Sequence, residues 1–195
     1  MEIAKGVPAQ KYLDLNLGTH DEKDWQTAIS HLEQRLKERY VEAADTLIQA
    51  ESHLPAAEKR FGFTILAIDC MLLETLQSFY VGLNETRGKS KEMFTCFLTT
   101  RENFKSHFDF AKAETFYTDF RCGILHQTET KGDSRVWSVG QLVRSEGNSL
   151  IINRNEFHDC MKKELELYMK TLRNPAASVV ERPRFKSKMD FICRK

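Results

Sequence analysis

Arg121 and His126, with four residues between them, lie in the run Tyr117-Thr-Asp-Phe-Arg-Cys-Gly-Ile-Leu-His-Gln127 near the end of an apolar helical pattern. Arginine is a permanent cation with a planar fork that fits phosphate oxygens in pairs. Histidine titrates near neutral pH and can take or give a proton. Together they can hold and cleave a phosphodiester without a metal ion. On an ideal α-helix the step between them turns about 140°, so they do not share a face as i, i+4 neighbours do. The long arginine stem, a helix end near Gly123, or a second copy of the helix across a two-fold axis could close that gap. On spacing alone, a salt bridge or a helix cap is the simpler reading.

The elements that must position this pair are helical. Residues 1–22 show no sustained period and read as an N-terminal arm, with Leu13, Leu15 and Leu17 alternating as in a short extended segment. From Lys23 to Glu51 apolar residues recur at threes and fours: Trp25, Ile29, Leu32, Leu36, Tyr40, Ala44 and Leu47. Pro55 is expected to start a second helix, running to Leu83 and apolar on nearly every side. Asp69 and Glu74 are its conspicuous acids. A third helix is expected over Lys89–Thr100 and a fourth over Ala111–Gln127. Around residues 135–153 short β-like runs and the turn Glu146-Gly-Asn148 predict a small β-hairpin. Asn153 or Asn155 then caps a fifth helix over Glu156–Arg173. Residues 175–195 read as a basic tail with Arg182, Arg184, Lys186 and Lys188. The expected fold is all-α: a bundle of four to five helices spanning 23–174, with the hairpin before its last helix.

Composition narrows the function classes. The net charge of +1 excludes an overall basic footprint, so any nucleic-acid surface must be local. Cys70, Cys96, Cys122, Cys160 and Cys193 are odd in number and widely spaced, which fits reduced thiols in the cytoplasm rather than a disulfide framework. No secretory signal and no membrane-spanning segment is expected. The histidines lack HxxxH or HExxH spacing and GxxxxGK[ST] is absent, so no metal and no cofactor is expected. Cys122 and His126 are i, i+4 and could touch, but no third orienting group for a cysteine nucleophile is legible.

The core Arg121-Cys-Gly-Ile-Leu-His126, preceded by the apolar helix, resembles the RCG-x-LH type of the bacterial HEPN superfamily. The likeness covers about Lys23–Gln127. It implies a helical, homodimeric, metal-independent endoribonuclease of defence or toxin–antitoxin systems, with RNA as substrate and an antitoxin or defence-system partner. His126 would act as base on the ribose 2′-OH or as acid on the leaving oxygen, and Arg121 would hold the scissile phosphate. The resemblance also implies that an acid of the apolar helix, Asp69 or Glu74, pairs with Arg121 and orients it. Tyr117, one turn earlier, could pack beside the arginine or simply in the core. The tail cations Arg182, Arg184, Lys186 and Lys188 could meet RNA phosphates. Two positions depart from the family. Cys122 stands where many active members carry Asn, Asp or His, which points to an alternative, a non-catalytic RNA-binding or dimeric assembly subunit. Thr128 stands where members neutralised by a nucleotidyltransferase carry tyrosine.

Overall fold

In the computed structural model the described residues are 1–18 and 22–194; residues 19–21 and 195, which the sequence places in the arm and the tail, lie outside them. Strands β1 (Glu2–Ala4) and β2 (Val7–Pro8) form an antiparallel hairpin, followed by helix α1 (Ala9–Leu13). The irregular arm is thus corrected. Ile3, Tyr12 and Leu17 are buried, and Leu13 closes a helix instead of extending. Tertiary partners decide this: Arg35 donates to the Ile3 carbonyl at 2.8 Å, and the Tyr12 hydroxyl donates to Asp190 at 3.2 Å.

Helices α2 (Glu22–Leu36) and α3 (Glu42–Ala50) form one continuous run through a π-turn at Lys37–Val41, as the long period predicts. Pro55 leads only into a 3₁₀ turn at Ala56–Glu58, because the Glu51 carboxylate takes the backbone N–H groups of Arg60 and Phe61. The apolar helix α4 therefore starts later than expected and spans Gly62–Val81. It stops in a left-handed turn at Gly82, where a Cβ would come within 2.9 Å of the Arg184 side chain.

Helix α5 (Ser90–Thr100) leads to α6 (Phe110–Thr115), a π segment over Phe116–Cys122, and α7 (Gly123–Gln127), which together form a single helical run. The expected β-hairpin is a three-stranded sheet: β3 (Arg135–Trp137) runs parallel to β5 (Ser149–Asn153), and β4 (Val143–Glu146) pairs antiparallel on the other side. Asn153 caps α8 (Arg154–Arg173), its side chain accepting from the Asn155 N–H at 3.1 Å.

The basic tail is corrected most sharply. It folds as helix α9 (Glu181–Cys193), burying Phe185, Met189 and Cys193. Their spacing of four is a helical stripe, masked in the sequence by Lys186 and Lys188 and by the off-stripe Phe191 and Ile192. With α1, this helix adds two to the expected four or five. The protein is mostly helical, with α4 packed among α3, α5, α8 and α9. By length and composition α4 could cross a membrane, but more than half of it is buried inside the fold.

Candidate functional site

Arg121 lies one residue before the end of the π segment and His126 lies on α7. In a π-turn the backbone bonds from i to i+5, so residues five apart move toward one face. The widened coil through Arg121 and Cys122 removes much of the rotation expected for an ideal helix. Arg121 Nη1 reaches His126 Nε2 at 3.5 Å. Arg121 Nη2 meets Glu74 Oε2 on α4 at 3.4 Å, and Ser90 at the start of α5 donates to the same oxygen at 2.9 Å. The Arg121 guanidinium carbon lies 5.7 Å from the centre of the Tyr117 ring, which in turn sits edge-on to Phe94. Tyr117 is thus both a neighbour of the arginine and a core aromatic.

The geometry leaves this cluster open. His126 is exposed, while the side chains of Arg121 and Glu74 retain 20% and 18% exposure. The Arg121–Glu74 pair is long, and among the described residues Arg121 Nε has no hydrogen-bond partner. A partly solvated pair of this kind contributes at most about 1 kcal/mol. A phosphodiester, whose two non-bridging oxygens offer a bidentate contact, can compete against it. Beside Arg121 runs an open groove of about 630 Å³ lined by Glu74, Ser90, Asn84, Arg87 and Lys188. Cys122 is half-buried and, among the described residues, has no hydrogen bond to His126.

The helix end is held from behind. The loop after α7 folds back so closely over Gly123 that a Cβ there would meet the Glu129 carbonyl at 2.4 Å. The Lys131 N–H donates to the Asp119 carbonyl at 3.1 Å, and the Asp119 carboxylate accepts from Ser134, whose oxygen accepts the Leu150 N–H of β5. The sheet therefore fixes the segment that carries the arginine. The glycine of the Arg-Cys-Gly sequence is required by this close approach.

Of the two α4 acids, Glu74 faces Arg121 and Asp69 does not. Asp69 is fully buried and binds His158 Nδ1 of α8 at 2.8 Å, so its expected role at Arg121 is corrected. On α4 the step from position 69 to 74 is also about 140°, which sends the two carboxylates to different neighbours. Burial pushes the Asp69 carboxyl up, opposed by His158. Burial pulls His158 down, but Asp69 and, at 3.3 Å, Asp45 outweigh it, and the imidazole ends above its ordinary range.

Of the tail cations, Arg182 forks onto Glu22 at 2.9 and 2.7 Å, Arg184 donates to the Tyr80 carbonyl, and Lys186 pairs with Asp190. Only Lys188 of the four lines the Arg121 groove. The sequence reading missed Ser90 and Arg87, which short loops bring to the site without any local motif. Among the described residues, no group of three or more His, Cys, Asp or Glu side chains is placed to hold a metal ion. No protein-family model, curated protein or solved structure matches the chain.

Proposed function

We propose that the chain is a HEPN-like, metal-independent endoribonuclease, with Arg121 and His126 as its catalytic residues. The observation that carries this reading is the convergence of Arg121, His126 and Glu74 in one half-open cluster, although 47 residues separate Glu74 from Arg121. Glu74 and Ser90 orient the guanidinium, and Tyr117 backs it. The arginine holds the scissile phosphate and offsets charge on its oxygens in the transition state. His126 moves the proton, from the 2′-OH or to the leaving 5′-oxygen. The nucleophile comes from the RNA, so DNA is not cut. Arg87 and Lys188 give the strand a short cationic path to Arg121. Exposed Met71 on α4 and Leu125 on α7 give these two helices an apolar surface for a second copy, as a homodimeric site requires. A cytoplasmic setting and an antitoxin or defence-system partner belong to the same proposal; the first rests on the unpaired cysteines and the second on the resemblance alone.

A second reading is a non-catalytic RNA-binding or assembly subunit. One observation favours it besides Cys122: the groove beside Arg121 holds Arg87 and Lys188, together with Glu74 and Glu85, but not His126. Single-stranded RNA incubated with the protein in EDTA separates the two. The enzyme yields fragments with 2′,3′-cyclic phosphate ends and leaves the matching DNA intact. Retention of uncut RNA supports the second reading instead.

A further inference from the structure

The turn after Pro55, the start of α4 and strand β3 enclose a pocket of about 430 Å³. That volume is in the range of small-ligand sites. Its walls are Ala56, Ala57, Val136, Val139 and the Trp137 indole, and two cations line it, Lys59 and Arg154. Gly62, at the start of α4, shares this wall. Twelve residues of helix separate it from Glu74, so the pocket lies roughly 18 Å from the Arg121 cluster.

Arg154 is 1% exposed, and its Nη2 donates to Glu51 Oε1. Glu51 Oε2 is already taken by the N–H groups of Arg60 and Phe61, at 2.8 and 3.2 Å. Among the described residues, the buried Arg154 Nη1 has no hydrogen-bond partner, and neither has Ser138 Oγ in the same wall. A buried donor without an acceptor costs about 1–3 kcal/mol, and more when charged. Glu51 neutralises Arg154, while Lys59 forms no ion pair among the described residues, so the wall carries one net positive charge. An apolar slot with one net positive charge and two unpaired donors suits a monoanion on a hydrophobic body.

We propose that this pocket binds a hydrophobic carboxylate. Its oxygens accept from Arg154 Nη1 and Ser138 Oγ, Lys59 covers its charge, and its hydrocarbon lies against Val136, Val139 and Trp137. Both donor atoms are covered by the wall, so side chains of the lining must shift as the ligand seats. Two sources share this chemistry: a free small acid, and the C-terminal carboxylate of a peptide ending in an apolar residue. The site stands whether or not the Arg121 cluster cleaves RNA.

The indole N–H resonance of Trp137 reports occupancy and is assigned with Trp137→Phe; the other tryptophan, Trp25, is buried in the core. The probes are 3-phenylpropionate, its amide, and a hexapeptide ending in leucine with a free or an amidated C-terminus. A saturable shift is expected with the free acid or the free-carboxyl peptide, about tenfold weaker with the matching amide, and the tighter of the two acids names the source. Ala57→Trp fills the pocket from an exposed position and abolishes the shift. Lys59→Gln weakens binding about tenfold. Glu51→Gln with Arg154→Met removes both buried charges together; in the folded double variant the preference for acid over amide disappears. Equal binding of acid and amide, the absence of any saturable shift, or a shift with single-stranded RNA alone would overturn the proposal.

Discussion

Helix α4 carries two acids, each facing a nitrogen base, and they do opposite work. Asp69 and His158 are fully buried, with Asp45 and Lys162 beyond the imidazole. Glu74, Arg121 and His126 are half-open, with contacts of 3.4 and 3.5 Å. A buried pair is bound to its fold, because freeing either partner strands a charge in a low-dielectric interior. A half-open pair costs little to exchange for a ligand. Solvent exposure, more than residue type, divides the structural histidine His158 from His126, the one proposed to do chemistry.

Breaking the buried pair has the largest effect on stability. Asp69→Ala is expected to destabilise the fold by about 3–5 kcal/mol in denaturant melts, leaving cleavage per folded molecule unchanged. Arg121→Lys keeps the charge but loses the fork, and cleavage should fall about 10²–10³-fold with an unchanged melt. Glu74→Gln should shift stability by no more than about 1 kcal/mol while lowering the cleavage rate, since it orients Arg121 rather than the fold.

The pH dependence sharpens the contrast. His158 is raised above its ordinary value of 6.5. Its stabilising contribution is complete below that value and is lost as pH rises through the folded-state pKa. The raised Asp69 carboxyl acts in the same direction, since burial disfavours its charged form. Melting temperature should therefore fall as pH rises above 6.5, and Asp69→Asn should flatten that fall. A wild-type melt flat across this range would break the contrast. Among these effects, Tyr117→Leu should be the smallest on cleavage, because the ring lies 5.7 Å from the guanidinium and donates nothing to it.

Much of this arrangement was legible in the residues. Long periodic stretches such as Trp25 to Leu47 and Met161 to Leu172 announce amphipathic helices, because burial of one face dominates their energetics. The pairing of an α4 acid with Arg121 was expected, but not which acid. That choice depends on helix rotation and on His158, far along the chain. The terminal elements were hidden for a different reason. In β1 and α1 the core residues are few, and in α9 Lys186 and Lys188, between Phe185 and Met189, mask the stripe. The π-turn at Phe116–Cys122 has no local sequence signal, yet it brings Arg121 onto the same face as His126.

The most direct measurement is the rate of single-stranded RNA cleavage in EDTA for the wild type and His126→Ala, normalised to folded protein and set beside His158→Gln. Loss of about 10²–10⁴-fold in His126→Ala, with His158→Gln altering stability but not the normalised rate, is the expected result. Cleavage that survives His126→Ala, or that vanishes only with His158, would contradict the assignment of chemistry to the exposed cluster.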